Sequence, residues 1–194
     1  MEKAYKLESD WFSMRIPVFQ EHLSKYKDLQ CNFLEIGSYE GRSAIWMLEN
    51  VLTHPASTLT CIDAWSLFDI DKNADLYRNF LDNIELSGFK DKVTVYAVKS
   101  GIVLRGVLRP QFSKSKRKQY DFIYIDGDHE LPSPLEDAIL SFPLLKVGGL
   151  LAFDDYSLDG IPACVDAFLI CYQPYITLVH KDWQVWLEKI KEKD

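Results

Sequence analysis

Two short apolar runs in this sequence each end in acidic residues. Asp126 follows the run at residues 120–125, and Asp154 and Asp155 follow the run at 150–153. Carboxylates held close together raise each other's pKa and destabilise a fold unless an opposite charge offsets them. A divalent cation provides that charge, and oxygen-only ligands favour Mg²⁺, Ca²⁺ or Mn²⁺ over zinc. We therefore predict that these three aspartates are metal ligands.

Helix capping is the alternative interpretation of the same acids, since aspartate at a strand-to-helix turn often caps the helix. Capping accounts for one acid in each turn but leaves the pair Asp154-Asp155 unexplained, which favours a metal. His129 lies three residues after Asp126. With a reference pKa of about 6.5, it would be suited to act as a general base beside a cation.

A glycine-bearing turn follows the apolar run at 32–36. Gly37 and Gly41 allow a sharp turn and close approach to a ligand, and the next helix would offer free N–H groups to a carboxylate. Ser38 and Glu40 interrupt the G-x-G-x-x-G pattern of dinucleotide-binding loops. The turn therefore favours a ligand with an ammonium and one carboxylate over a dinucleotide, with an ordinary strand–helix turn as the other alternative.

Further ligand candidates follow the next two apolar runs. Asp63, after the second run, is suited to accept hydrogen bonds from the ribose hydroxyls of an adenosine ligand. Trp65 is a candidate to flank the adenine, although a tryptophan is more often part of the core. Ser100 follows the third run, where an adenine edge would lie.

The elements that would position these residues alternate along the chain. Strands are predicted at 32–36, 57–62, 93–98, 120–125, 150–153, 175–179 and 184–187, and helices at 43–48, 73–86, 102–108, 134–145 and 161–171. Fully apolar strands alternating with helices predict an α/β fold whose parallel sheet is covered on both faces, with ligands outside the carboxyl ends of the strands. The last two strands, separated by a few polar residues, predict an antiparallel hairpin at the sheet edge. Before the first strand, an apolar stripe predicts a helical segment, which would serve as a lid or an acceptor wall. The stripe consists of Trp11, Phe12, Ile16, Phe19 and Leu23.

Composition narrows the classes of function. A chain of 194 residues with 47% hydrophobic content is expected to form one domain, and its net charge of −7 disfavours nucleic-acid binding. No apolar run is long enough to span a membrane, and no secretory signal begins the sequence. Four cysteines without metal-ligand spacing indicate a reduced cytoplasmic protein. Aromatic residues near the C-terminus, namely Tyr172, Tyr175, Trp183 and Trp186, would permit a homodimer surface.

Three motifs together resemble the class I S-adenosylmethionine-dependent methyltransferases, and within them a small metal-dependent O-methyltransferase group. The motifs read IDGDH at residues 125–129, GGLLAFDDY at 148–156 and FLEIGSYEGRSA at 33–44, and the last is similar to the cofactor loop of catechol O-methyltransferase. The resemblance implies a Rossmann-like, doubly wound sheet of seven strands, mostly parallel with an antiparallel last strand. It divides the chain into a helical segment at 1–30 and a methyltransferase domain at 31–194.

The same resemblance implies cofactors and site residues. S-adenosyl-L-methionine would be held by Glu35, Gly37, Ser38, Tyr39, Gly41, Ser43, Asp63, Trp65, Ser100 and Asp126. Mg²⁺, or another divalent cation, would be held by Asp126, Asp154 and Asp155. His129 stands where catechol O-methyltransferase has its lysine base, and Asp155 replaces an asparagine common at that ligand position.

The implied reaction is methyl transfer to a hydroxyl of a small molecule, with the metal assisting. Three alternatives are distinct from it. The chain would bind S-adenosylmethionine without catalysis, or transfer methyl groups without a metal, or be a dinucleotide oxidoreductase on a similar sheet. Chelator sensitivity separates methyl transfer without a metal from the metal-assisted reaction, and the interrupted glycine pattern disfavours the oxidoreductase.

Overall fold

Strands whose side chains are buried on both faces of the sheet form the centre of the molecule. The computed structural model describes residues 4–65, 70–107 and 118–192, which contain a seven-stranded sheet in the order β3-β2-β1-β4-β5-β7-β6. The strands are β1 (Asn32–Ile36), β2 (Thr58–Asp63), β3 (Val93–Ala97), β4 (Tyr120–Ile125), β5 (Leu145–Phe153), β6 (Ile176–Lys181) and β7 (Val185–Lys189). Strands β1 to β5 pair in parallel, and β7 pairs antiparallel with both β5 and β6. The predicted doubly wound sheet with an antiparallel last strand is confirmed.

Helices cover both faces because successive residues of a strand point in opposite directions. Phe33 and Phe122 face one apolar layer, whereas Leu34 and Ile123 face the other. The helices are α1 (Ile16–Leu23), α2 (Arg42–Asn50), α3 (Ile70–Ser87), α4 (Ser100–Ile102), α5 (Ser133–Ser141) and α6 (Ile161–Tyr172). A π-helical turn at Val103–Val107 continues α4, and short 3₁₀ helices occupy Ser13–Arg15, Ser24–Tyr26, Lys90–Lys92, Phe142–Leu144 and Gln173–Tyr175.

The strand order reverses between β1 and β4, which is the place where open α/β sheets bind ligands. The parallel ladder continues one residue past the strand ends there. Gly37, Asp126 and Asp154 each donate their backbone N–H to a carbonyl of the neighbouring strand, at 2.8, 2.8 and 2.9 Å. The glycine turn and the two acidic turns are therefore held side by side in one row.

Strand β5 differs from its predicted start. It begins at Leu145, and the register against β4 shifts between Tyr120 and Phe122. Gly148 and Gly149 lie inside the strand at this irregularity instead of forming a turn before it. Gly148 has a φ of +82°, which a glycine adopts without steric cost.

The N-terminal segment is less helical than predicted. Residues 4–12 are irregular, and helical structure is limited to 13–26 before β1 begins. Within the predicted stripe Phe19 and Leu23 are fully buried, whereas Trp11 is 67% exposed. The prediction that this segment is a lid or an acceptor wall stays a prediction.

At the C-terminus the predicted hairpin is present, with β6 at the sheet edge and β7 inside the sheet. Trp186 and Tyr172 belong to the core, so two of the four aromatic residues expected to permit a dimer surface are buried, while Trp183 is exposed.

Three other expectations from the sequence concern the cysteines, membrane-spanning helices and the segment around residues 108–118. All four cysteines are free thiols. Within the described ranges, no helix combines the length and apolarity needed to cross a bilayer. The helix predicted at 102–108 ends at Leu108, which lies outside the described residues. The sequence also contains a short basic run at 114–118, of which residues 114–117 lie outside the described residues.

Candidate active site

Gly37 joins the glycine turn to the first acidic turn. Its φ is +89°, and a Cβ at this position would lie 1.9 Å from the backbone carbonyl oxygen of Asp126. Only glycine permits this approach, because any side chain would collide with the β4 turn. Gly41, at φ +87°, precedes α2, and a Cβ there would lie 3.0 Å from the ring of Phe80. The sequence predicted the need for glycine, but the close approach at Gly37 is to the protein's own backbone.

Asp63 holds the glycine turn in shape. Its Oδ2 accepts the backbone N–H groups of Ser38 and Tyr39, both at 2.9 Å, and its Oδ1 accepts that of Trp65 at 2.9 Å. Tyr39 needs this support, since its φ of 46° is left-handed and unfavourable for a residue with a side chain. Asp63 stands at the predicted ribose position, and its Oδ1, which accepts one hydrogen bond, retains accepting capacity for a hydroxyl.

Glu35 lies beneath the turn, fully buried. The hydroxyls of Ser38 and Ser43 each donate to it at 2.5 Å, and the Cys61 thiol donates at 3.7 Å. Burial raises the pKa of Glu35 to about 7, although the hydrogen bonds from Ser38 and Ser43 oppose that shift. The residue predicted to hold the methionine part of the cofactor therefore also links β1 to the start of α2.

Trp65 is placed in the core, with 6% of its surface exposed. It packs on Tyr77 and Phe80 at ring-centroid distances of 4.8 and 4.7 Å, and its indole N–H donates to the Tyr39 carbonyl at 2.7 Å. These surroundings match the alternative interpretation, in which this tryptophan is part of the core. Because so little of the ring is exposed, its contact with an adenine stays a prediction.

Ser100 begins α4 next to a buried acid. Its hydroxyl donates to Asp137 Oδ1 at 2.5 Å, and burial raises the pKa of Asp137 to about 6. The predicted adenine-side serine is therefore fixed in orientation by a helix on the same face of the sheet.

At the acidic end of the row, three side chains converge. One ligand atom from each of Asp126, His129 and Asp155 lies within 4.8 Å of the others. His129 Nε2 is 2.8 Å from Asp155 Oδ2, and Asp155 adopts a left-handed φ of 55°. This group includes two of the three predicted metal ligands, and the predicted base stands among them.

Asp154, the third predicted ligand, is directed to other partners. Tyr124 donates its hydroxyl to Asp154 Oδ2 at 2.6 Å, and the backbone N–H of Asp155 donates to Oδ1 at 2.8 Å. The guanidinium of Arg15 lies against both acids, with Nε 3.0 Å from Asp154 Oδ1 and Nη2 3.7 Å from Asp155 Oδ1. The acidic end thus already contains one positive charge, supplied by the N-terminal segment.

Excess negative charge remains at this end of the row. Burial, together with the Asp154 and Asp155 charges, holds the pKa of Asp126 well above its usual range. Burial also raises the pKa of Asp154, against the opposing effects of the Tyr124 hydroxyl and Arg15. Hydrogen bonding to Asp155 raises the pKa of His129. Clustered carboxylates whose ionisation is opposed by burial and by each other fit a divalent cation, which would favour their charged forms.

Asp128, the second acid of the IDGDH motif, is hydrogen-bonded within its own turn. Its Oδ1 accepts the Glu130 N–H and its Oδ2 accepts the Ser133 hydroxyl, both at 2.9 Å. No side chain caps α5, so the capping interpretation does not describe this acid.

Sequence reasoning missed Arg15 and Tyr124. Arg15 interrupts the apolar stripe of the N-terminal segment while being only 9% exposed, and a cation within an apolar stripe is the signal that could have identified it. Tyr124 lies inside β4 and differs from its apolar neighbours by one hydroxyl, for which burial requires a partner. Neither signal names the partner residue.

Comparisons with known proteins agree with this geometry. The family described as "Methyltransferase domain" matches residues 34–156, which contain both the glycine turn and the two acidic turns. The sheet, the switch point and these turns define a class I S-adenosylmethionine-dependent methyltransferase. The chain belongs to that methyltransferase-domain family and is an enzyme of this class.

Solved structures share the fold. A putative O-methyltransferase from Klebsiella pneumoniae is 17% identical with a TM-score of 0.73, covering 95% of this chain and 84% of that one. The O-methyltransferase from Bacillus cereus, solved in complex with SAH, is 19% identical with a TM-score of 0.71, again covering 95% and 84%. MycE methyltransferase from the mycinamycin biosynthetic pathway, in complex with Mg and SAH, is 14% identical with a TM-score of 0.62, covering 95% of this chain and 51% of that one. A sequence search of curated proteins found no match.

Proposed function

We propose that this enzyme transfers a methyl group from S-adenosylmethionine to a hydroxyl of a small molecule with the help of a divalent cation. The observation that carries the proposal is the convergence of Asp126, His129 and Asp155 within 4.8 Å. These residues lie in the turns that follow β4 and β5, in the same row as the glycine turn. MycE, with the same fold, was solved with Mg and SAH together.

The glycine turn would bind the cofactor. Backbone N–H groups at the start of α2 face the same edge as the acids and are suited to the methionine carboxylate. Asp63 would accept the ribose hydroxyls, and Ser100 would contact the adenine. Because Asp63, Glu35 and the two serines are already hydrogen-bonded within the chain, this side needs little rearrangement to receive its ligand.

The acidic turns would orient the acceptor. Asp126 and Asp155 would hold the cation, with Asp154 entering once its present partners move. When bound, a divalent cation supplies Lewis acidity that lowers the pKa of an acceptor hydroxyl. Holding acceptor and cofactor in line contributes on the order of 7–11 kcal/mol relative to free collision.

His129 would act as the base. Its side chain is 49% exposed, so an acceptor can reach the ring, whereas Asp154 beside it is enclosed. S-adenosylmethionine, when bound, would supply a methyl group on a sulfonium sulfur, and that sulfur would keep the electron pair of the broken S–C bond as the acceptor oxygen gains the methyl. The proton of that oxygen passes to His129.

Labelled methyl transfer to a panel of phenolic, sugar and amine acceptors, with Mg²⁺ present, tests the proposal. We expect His129→Gln to lower the rate by about 100-fold or more, and Asp155→Ala, which removes the oxygen ligand, by about 10- to 100-fold. Asp128→Ala is the matched control, since that acid lies in the same acidic turn as Asp126 but is hydrogen-bonded to Glu130 and Ser133, and it should retain transfer. Full transfer by Asp155→Ala would refute the metal part, and absence of S-adenosylhomocysteine binding in the wild type would refute the whole.

Methyl transfer without a metal is a second candidate, favoured by one observation. Arg15 already places a positive charge against Asp154 and Asp155. In that case transfer would persist in the presence of a chelator and the acids would orient an amine or sugar acceptor. Loss of transfer on chelation, restored by added Mg²⁺, rejects this candidate.

A further inference from the structure

The side chain of Arg15 is enclosed at the acidic end without a well-formed hydrogen bond. The residue is 9% exposed, and its buried Nε makes no hydrogen bond although Asp154 Oδ1 is 3.0 Å away. Strong arginine–carboxylate pairs instead make two parallel, well-directed bonds to one carboxylate. Here the contacts are divided between Asp154 and Asp155, at 3.0 and 3.7 Å. Arg15 is therefore held by charge more than by directed bonding.

The backbone that carries Arg15 is fixed from its other side. We call residues 4–15 the N-terminal arm. Asn83 forms two hydrogen bonds to the Lys6 backbone, at 2.8 and 2.9 Å, and Glu40 accepts the Glu8 N–H at 2.7 Å. Since the arm is anchored on α3 and on the glycine turn, a change at the acidic end would move the Arg15 side chain and not the arm.

The guanidinium already has an aromatic partner besides the two carboxylates. The ring of Trp183 is 57% exposed, and its centroid is 6.0 Å from the Arg15 Cζ. An arginine that leaves the carboxylates can rest on an indole face at this range through a cation–π interaction. Displacement from the acids therefore does not require the charge to enter open solvent alone.

A divalent cation offsets more of the negative charge than the arginine does. With Asp126, Asp154 and Asp155 ionised, the three carboxylates carry −3, which Arg15 reduces to −2 and a divalent cation in its place reduces to −1. Both the arginine and a cation would use Asp154 and Asp155, and two like charges at one pair of carboxylates repel.

We propose that Arg15 is an internal counter-ion of the metal site, which occupies Asp154 and Asp155 until a divalent cation displaces its side chain towards Trp183. This inference rests on the proposed cation site. It assigns Arg15 the role of setting the affinity of that site: the arginine stabilises the metal-free enzyme and weakens cation binding.

Calorimetric titration of the full-length enzyme with Mn²⁺ tests the inference. Arg15→Gln removes the competing charge and should bind Mn²⁺ about tenfold more tightly, a typical size for coupling between two linked events. Arg78→Gln is the matched control, since it removes the same charge from an exposed ion pair with Asp75 on α3. It should leave the affinity for Mn²⁺ within about twofold of the wild type, as surface pairs contribute little.

A second readout and a second variant keep the test decisive. Without metal, Arg15→Gln should melt at a lower temperature than the wild type, and Mn²⁺ should raise its melting temperature by the larger amount. If Arg15→Gln does not fold, Arg15→Lys should still bind more tightly than the wild type, because a lysine reaches Asp154 less closely. Unchanged or weaker binding by the Arg15 variants, with a wild type that binds, overturns this inference alone. Absence of Mn²⁺ binding in the wild type and in every variant overturns the proposed metal role together with it.

Discussion

The two halves of the strand-end row satisfy their polar groups in different ways. In the glycine turn, the carboxylates of Asp63 and Glu35 accept hydrogen bonds from backbone N–H groups and serine hydroxyls. At the acidic end, the carboxylates of Asp154 and Asp155 share one guanidinium whose Nε lacks a hydrogen bond. The first half is complete without a ligand, which suits the pre-formed cofactor site that we propose. The second half keeps an excess of negative charge, which suits the cation site that we propose.

The largest expected effect on stability comes from Gly37, where the glycine turn lies against the first acidic turn. Gly37→Ala would place a Cβ 1.9 Å from the Asp126 carbonyl oxygen at a φ of +89°, so we expect a loss of about 4 kcal/mol in the free energy of unfolding. Gly88→Ala is the matched control, because Gly88 has a φ of +79° but nothing within 4 Å. It should cost about 1 kcal/mol. Equal urea midpoints for the two variants would show that the halves are not joined as described.

The glycine half should show a pH signature of its own. Burial raises the pKa of Glu35 from its ordinary value of 4.5 to about 7 in the folded state. The folded state therefore binds the proton more tightly than the unfolded state. The contribution of Glu35 to stability is therefore full below pH 4.5 and is lost as the pH rises to 7, by up to about 3 kcal/mol. Urea unfolding across this window should show a weaker decline for Glu35→Gln than for the wild type. Glu85→Gln, at an exposed glutamate on α3, should follow the wild type; a Glu35→Gln curve parallel to both would contradict the assignment.

At the acidic half, a smaller effect should follow the removal of one hydroxyl. Tyr124→Phe deletes the donor to Asp154 Oδ2 and should lower the free energy of unfolding by about 2 kcal/mol, as expected for a bond to a charged group. Tyr120→Phe deletes a bond from the same strand to the neutral Thr60 hydroxyl, at 3.2 Å. That change should cost about 1 kcal/mol. If Tyr120→Phe cost as much, Asp154 would not carry the charge that distinguishes this half.

The N-terminal arm spans both halves and gives the smallest effect. The Trp11 ring contacts Tyr39 of the glycine turn, with centroids 5.2 Å apart. Trp11→Ala should lower the free energy of unfolding by about 1 kcal/mol. Met14→Ala is the control, since Met14 is 72% exposed and should show a change within about 0.5 kcal/mol. Matching thermal unfolding curves for the two variants would mean that the N-terminal arm does not stabilise the glycine turn.

Much of the fold could be predicted from the sequence because the strands are short apolar runs bounded by polar turns. The row containing Gly37, Asp126 and Asp154 followed from the rule that parallel strands open on one edge. The irregular backbone before residue 13 could not be predicted, since Trp11 fits the apolar stripe in spacing yet lies at the surface against Tyr39. Periodicity records which residues are apolar and does not record which of them reach the core.

The sequence predicted which residues form the candidate site better than it predicted which residues contact each other. The motifs identified Asp126, His129 and Asp155, which the structure brings together. The orientation of Asp154 depends on Tyr124 and on Arg15, the latter more than a hundred residues away along the chain. Such a contact depends on the packing of α1 against the sheet, and no local pattern encodes it.

A crystal of the enzyme grown with S-adenosylhomocysteine and Mn²⁺, measured for anomalous scattering from manganese, tests the central claim most directly. We expect a manganese peak between the carboxylates of Asp126 and Asp155, nucleoside density along the glycine turn, and an Arg15 side chain withdrawn from Asp154. Nucleoside density with no manganese peak at the acids, and with Arg15 still against Asp154, would contradict the central claim.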